Sequence, residues 1–143
     1  NDNQIIYISL NTSYLKLVAD FSKENKNLDN IYFIDMVSIN TGAKVLNGPK
    51  VEYINSPSEL TDCVLSVERK LESEKEKTVI IILDSVSTIA VYNDPPVVEK
   101  FIHVLIGKIT ASNASAILLS PDYEGTKIIT ETIEQFMDKT IKI

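Results

Sequence analysis

The chain has 143 residues, a formal net charge of −6 and an isoelectric point near 4.8. Its 14 lysines and arginines are scattered, which argues against the concentrated basic surface that a nucleic-acid backbone requires. One cysteine, Cys63, and one histidine, His103, leave no internal disulfide and no zinc pattern, so a reducing compartment, the cytoplasm, is the expected setting. No apolar run approaches the roughly 20 residues of a membrane span, and NDNQ carries no basic signal start.

At this length a single domain is expected over residues 1–143, able to bury roughly two-thirds of its unfolded surface. The chain begins at Asn1 rather than methionine, which leaves open a fragment or a processed start. Gln4–Leu10 (QIIYISL) reads as a strand by its β-branched and aromatic content. Asn11, Thr12 and Ser13 supply N-cap chemistry for a helix to about Lys26, with Leu15, Val18 and Ala19 as its inward face. Ile31–Val37 is a second buried strand. Residues 38–50, with Asn40, Gly42, Asn47, Gly48 and Pro49, have turn chemistry and no apolar period, so a loop is expected. Val51–Ile54 is a short strand.

Ser56-Pro57-Ser58-Glu59 spells a helix start, with Ser56 as cap, Pro57 in the first helical position and Glu59 closing a capping box. Leu60, Val64, Val67 and Leu71 then form a stripe for packing on a sheet. Val79–Asn93 (VIIILDSVSTIAVYN) starts as an uninterrupted aliphatic run, the mark of a strand buried on both faces of a parallel sheet. It delivers Asp84 and Ser85 to the carboxyl edge, where such sheets place ligands. After a break at Asn93-Asp94-Pro95-Pro96, Asp94 caps and Pro95 starts a helix with Val98, Phe101, Ile102, Leu105 and Ile109 inward. Ala114–Leu119 is the next strand. Glu124–Phe136 reads as a helix with Ile128, Ile129, Ile133 and Phe136 inward, and Lys139–Ile143 (KTIKI) alternates like an edge strand. Strands alternating with helices predict an α/β fold with a mostly parallel, right-handed crossover sheet and helices on both faces.

Taken in order, these segments resemble the RecA-like ATPase fold and, within it, the KaiC-like branch. The resemblance rests on QIIYISL, a helix and NIYFIDMVS; on VEYINSPSELTD; on VIIILDSVSTIAVYN in the place of the family's Walker B strand; and on VVEKFIHVLIGKI, ASAILLS and the closing EQFMDKTIKI. It covers nearly the whole chain, and the order of the pieces is more specific than any one of them. NSPSELTD and DSVSTIAVYN resemble archaeal members whose ATPase apparatus has decayed. The resemblance implies a three-layer RecA-like (P-loop NTPase-like) sandwich. Two alignments are open: QIIYISL as the family's second strand, with the central phosphate-loop strand upstream of Asn1, which the spelling favours; or QIIYISL in the central place itself, with SLNTSYLKL where the phosphate loop once stood.

The departures bear on activity. No G-x-x-x-x-G-K-[ST] is present, and none of Gly42, Gly48, Gly107 and Gly125 follows a buried strand directly or precedes Lys-Ser or Lys-Thr. Where the family carries one or two glutamates, this chain has Ser9, Leu10 and Asn11. Phosphoryl transfer depends on positioning phosphate and charge, so no catalytic residue is expected, and no cofactor. Asp84, Ser85 and Asp35 are the candidate vestigial nucleotide- or metal-binding residues, each with a structural reading beside it: strand-end aspartates cap turns, and Ser85, Ser87 and Thr88 are ordinary turn residues. His103 lies beside the Phe101/Ile102/Leu105 stripe as a partly exposed helix histidine. Cys63 reads as a buried small hydrophobe, and Asp122, Tyr123 and Glu124 as a polar loop at the carboxyl edge. The expectation is a non-catalytic binding or signalling module with a protein partner or weak, at most dimeric, self-association, no nucleic acid and no membrane. The alternatives are an ATPase fragment whose phosphate loop lies upstream of Asn1, the one case in which ATP and magnesium enter, and a small-ligand sensor without hydrolysis.

Overall fold

Five aliphatic strands pair in parallel in the order β3-β2-β1-β4-β5, an α/β sheet of RecA-like topology. They are β1 (Asn3–Ser9), β2 (Ile31–Asp35), β3 (Val51–Tyr53), β4 (Thr78–Asp84) and β5 (Ala114–Leu119). The structure, a computed structural model, describes residues 3–121 and 124–143. Ile5–Ile8 lies inside the sheet with β2 on one side and β4 on the other, the central place that the second alignment gives it.

Side chains alternate across a strand, and the register therefore sorts the sheet into two faces. On one, Ile6, Ile34, Ile81 and Leu83 join α3 (Leu60–Ser73), α4 (Val86–Tyr92), α5 (Pro95–Thr110) and α6 (Lys127–Glu134) in the main core. The stripe of α5 is buried as the periodicity predicts: Val98, Phe101, Ile102, Leu105 and Ile109. On the other face α1 (Tyr14–Lys23) covers β1 to β3, through a smaller cluster of Leu17, Phe33 and Val51 edged by Tyr7, Tyr14, Phe21, Ile31 and Tyr53. Ile5, Ile80 and Ile82 belong to neither cluster. No described helix joins them to a core, so the second face is covered over only part of its width.

Several local expectations are corrected. The inward residues of α1 are Tyr14, Leu17 and Phe21 rather than Leu15, Val18 and Ala19, because the aromatic floor of Tyr7 and Phe33 draws aromatic partners, with Tyr14 to Phe33 ring centroids 5.1 Å apart. The helix ends at Lys23, short of Lys26. Inside the expected loop 38–50 lies a one-turn helix, α2 (Ser38–Thr41), closed by Gly42 at φ 74°, a conformation glycine adopts without penalty. Ser56 does not cap a helix. Its hydroxyl accepts from the Ser58 N–H at 3.0 Å, closing a local turn that postpones α3 to Leu60, and Glu59 makes no capping bond. Asp94 stands at the N-cap of α5 with Pro95 behind it, also without a side-chain bond.

Ser87 and Thr88 sit within α4, not in a turn. At the C-terminal side a 3-10 turn over Glu124–Thr126 precedes a helix limited to Lys127–Glu134. Ile128 points outward at 78% exposure, while Ile133 is buried. Lys139–Ile143 is not a strand, and Ile141 is 72% exposed; alternation alone holds no strand without a neighbour to pair with.

The two edges of the sheet differ. At β3 the strand is three residues long and backed by a bridge from Gly48 to Val51, with Tyr53 Oη bonded to both the N–H and the carbonyl of Leu46. The outer edge of β5 pairs with no described strand, and ASAILL carries neither charge nor proline to blunt it. No helix among the described residues is long and apolar enough to cross a membrane.

Candidate functional site

The carboxyl ends of β1, β2 and β4 bring the candidate residues to one edge and one face. Ser9 pairs with Asp35 on one side and with Asp84 on the other, so the register row runs Asp35, Ser9, Asp84, Leu119. The two aspartates are thus on the same edge, as a parallel sheet requires, but β1 stands between them. Two strand spacings amount to about 10 Å, beyond the reach of a single shared cation.

Asp35 is 1% exposed and its oxygens are fully engaged. Oδ1 accepts from the Val37 and Ser38 N–H groups, both at 2.8 Å. Oδ2 accepts from the Tyr14 N–H at 2.8 Å and the Ser38 hydroxyl at 2.5 Å. A carboxylate at exposed helix N–H groups neutralises orphan donors and complements the dipole. Asp35 does so for two helix starts at once, α1 and α2, and this local service explains why an aspartate ends β2.

Asp84 is half-buried and differently held. Oδ2 accepts from Tyr7 Oη at 2.7 Å and Oδ1 from Asn11 Nδ2 at 3.2 Å. Asn11 Nδ2 also reaches Ser85 Oγ at 3.1 Å, and Asn11 Oδ1 accepts from the Thr88 hydroxyl. Ser85 Oγ lies 2.8 Å from Ser87 Oγ and 3.3 Å from Thr88 Oγ1. The Asp84–Ser85 peptide is cis. Burial, with the hydrogen bond and charge of Asp84 adding to it, raises the Tyr7 phenol well above its ordinary 10.0, and Tyr7 therefore stays a donor to the carboxylate. The result is a closed network of neutral donors around one carboxylate.

The loop from β1 to α1, Leu10–Ser13, occupies the place where a strand enters its helix. It contains no glycine, and its backbone is folded by Ser9, whose Oγ donates to the Thr12 carbonyl at 2.5 Å and accepts from the Thr12 N–H at 3.3 Å. Ser13 caps α1, accepting from the Lys16 N–H at 3.3 Å. Asn11 fills the space in front of Asp84 with its amide. No lysine belongs to this network, and no described group of three or more His, Cys, Asp or Glu residues is arranged to hold a metal ion.

The other sequence-level candidates fall apart spatially. Cys63 is fully buried in the main core, and burial pushes its thiol up to about 12. His103 is exposed and stacks obliquely on Phe136, ring centroids 5.1 Å apart. Asp122 and Tyr123, and the side chain of Glu124, lie outside the described residues. Sequence reading missed Tyr7 as the partner of Asp84. Parity puts Tyr7 and Ser9 on one strand face, but that Asp84 stands on that same face follows only from the β1–β4 register, which pairs Ser9 with Asp84.

A groove lies at the opposite end of the sheet. About 870 Å³ in volume, it is lined by the C-terminal parts of α3 and α5 with Val79 and Asn113. Its charges are mutually paired, Lys108 with Glu68 at 3.3 Å and Lys77 with Glu74 at 2.9 Å, and it includes none of the candidate residues. The chemistry argument therefore stays with the carboxyl edge.

No family profile and no curated protein sequence matches the chain. Among solved structures, it is similar to an uncharacterised protein from Pyrococcus horikoshii, crystallised in complex with an unknown peptide. The TM-score is 0.67 at 12% sequence identity, over 96% of this chain and 63% of that one. The chain thus spans under two-thirds of the length of this structural relative, and the likeness establishes a shared α/β fold.

Proposed function

We propose that this chain is a non-catalytic domain of RecA/KaiC-like, archaeal-type descent that serves as a binding or signalling module for a protein partner, or for itself, in the cytoplasm. The observation that carries the reading is the carboxyl edge: Asp84 is enclosed by Tyr7 and Asn11, Asp35 is consumed by two helix starts, and the β1–α1 loop offers neither glycine nor lysine to a phosphate. Phosphoryl transfer is almost wholly positioning and charge stabilisation, and these groups supply neither. The crystallisation of the Pyrococcus relative in complex with an unknown peptide supports peptide or protein recognition over turnover. Nucleic acid is disfavoured by the acidic balance, and the buried thiol of Cys63 suits a reducing compartment.

The test is an ATPase assay of the wild type and Asp84→Ala with magnesium. The expected outcome is no turnover in either protein; magnesium-dependent turnover that disappears in the variant would refute the module reading. A second reading, a nucleotide-binding ATPase fragment whose phosphate loop lies upstream of Asn1, would use the half-buried Asp84 at the carboxyl edge but would have to place that loop's strand outside the sheet centre, which β1 fills between β2 and β4. The same assay on the product of the full gene separates the two.

A further inference from the structure

Eleven asparagines are spread along the chain, and one of them, Asn47, is followed by glycine. Its surroundings also set it apart. Asn11 is bonded to Asp84, Ser85 and Thr88, Asn40 donates to Tyr92 Oη at 3.1 Å, and Asn93 donates to the carbonyls of Pro57 and Ile89. Asn30 donates to the Asn3 carbonyl, and Asn27 accepts from the Asp29 N–H. Asn47 is exposed, lies outside any helix or strand and makes no side-chain hydrogen bond among the described residues. A Cβ placed on Gly48 would meet no atom within 4 Å, so both halves of the Asn47-Gly48 unit stand in open space.

In such a pair the backbone can attack the side chain that precedes it. The Gly48 nitrogen loses its proton to solvent base and adds to Cγ of Asn47. The Cγ–Nδ2 bond then breaks, and the side-chain nitrogen leaves as ammonia, taking up a proton. A succinimide ring remains, and water opens it at either carbonyl. Opening at the side-chain carbonyl gives aspartate; opening at the main-chain carbonyl gives isoaspartate, with the chain now running through Cγ. No electrons are transferred, and water is the only co-reactant. Ring closure takes the following residue through backbone conformations that a Cβ hinders, and glycine is free of that hindrance.

We propose that Asn47-Gly48 is a site of spontaneous deamidation, and that isoaspartate formed there loosens the β3 edge of the sheet. The flanking contacts give the consequence. On one side Tyr53 Oη holds Leu46 through both its N–H and its carbonyl, at 3.1 and 3.0 Å. On the other, Gly48 bridges to Val51, and the Lys50 carbonyl accepts from the Phe33 N–H at 2.9 Å. Asn47 is the single residue between the Tyr53 clamp and the Gly48 bridge. Isoaspartate inserts one more carbon into the main chain at that point, so clamp and bridge no longer fit together. It also adds a negative charge to a chain already at −6. This chemistry needs no bound nucleotide and no partner.

The test is incubation of the intact chain in mildly alkaline buffer, sampled over time, with peptide mapping by mass spectrometry that separates the asparagine, aspartate and isoaspartate forms. Asn25, Asn55 and Asn113 serve as internal controls, being exposed but followed by Lys26, Ser56 and Ala114. Conversion at Asn47 is expected to be about tenfold faster or more than at these three, with isoaspartate among the products. At Gly48 φ lies outside the left-handed region and there is room for a methyl group. Gly48→Ala is therefore expected to slow conversion about tenfold without lowering the denaturation midpoint. In the isoaspartate form, amide exchange over β3 is expected to rise about tenfold above that of fresh protein. Asn47→Asp, which adds the charge without lengthening the chain, is expected to leave that exchange unchanged. Equal rates at the four asparagines, conversion that Gly48→Ala does not slow, or aspartate formed without isoaspartate would overturn the site. Unchanged β3 exchange in the isoaspartate form, or an equal rise in Asn47→Asp, would overturn its effect on the edge.

Discussion

Asp35 and Asp84 end the two strands that flank β1, in the same register row, yet their surroundings give them different work. Asp35 accepts four hydrogen bonds, three from backbone N–H groups, in a site 1% exposed. Removing a buried acceptor strands its donors without water, at about 1–3 kcal/mol for each unsatisfied group. Asp35→Ala is therefore expected to cost about 3–5 kcal/mol. Asp84 is half-buried and accepts two bonds, from Tyr7 and Asn11, and solvent can replace part of them, so Asp84→Ala is expected to cost about 1 kcal/mol. Urea unfolding of both variants checks the ranking, and equal losses would mean that the Asp84 network is as structural as that of Asp35. An aspartate after a strand was visible in the sequence at both positions. Which one caps helices and which one faces an amide was not, because the deciding partners are 21 and 77 residues away.

At the scale of an element, β4 shows the division most directly. Ile81 is fully buried among the helices of the main core, whereas Ile82, the next residue, points to the opposite face and is only half-buried. Ile81→Ala is expected to cost about 3–4 kcal/mol, as a cavity-forming change in a packed core, and Ile82→Ala about 1 kcal/mol or less. Chemical denaturation of the pair measures it; a comparable loss at Ile82 would show that its face is covered. The aliphatic run VIIILD made a two-sided burial the natural expectation. That expectation holds for the strand's hydrogen bonds, which run to β1 and β5, and only in part for its second face. The stripes of α3 and α5 were legible because four and five apolar residues at helical spacing, respectively, admit one inward face. The stripe of α1 was misread because Tyr14, Leu17 and Phe21 compete with Leu15 and Val18, and the aromatic floor decides between them. The five residues KTIKI alternate as a strand does but have no described partner, and pairing is a property of two segments.

For the molecule as a whole, the ionisable groups define a window of stability. Hydrogen bonds from Lys77 and Lys70 to Glu74 hold its carboxyl below the ordinary 4.5. A carboxyl depressed on folding contributes stability that is present above its unfolded value and lost as pH falls through the folded one. On the alkaline side the signs reverse. Cys63 is raised from 9.0 to about 12 by burial, with the charge of Glu52 adding, and Tyr7 is raised above 10.0 by burial and then by Asp84. Each stabilises fully below its unfolded value and loses that contribution as pH rises towards the folded one. Stability is expected to be flat between about pH 5 and 9 and to fall above it, and Cys63→Ala should lower the plateau while making the decline above pH 9 shallower. Denaturation midpoints across pH measure this; an unchanged alkaline slope in the variant would contradict it. The amino-acid order by itself determined the α/β class, the parallel sheet, the burial of Cys63 and the absence of a phosphate loop, since each follows from local composition and spacing. Tertiary structure alone decided that β1 is central, that Tyr7 and Asn11 enclose Asp84, that Asp35 belongs to two helix starts, and that β4 and β5 keep an exposed apolar face. Those outcomes depend on which strands become neighbours, and neighbourhood is set by packing across distances that no local pattern encodes.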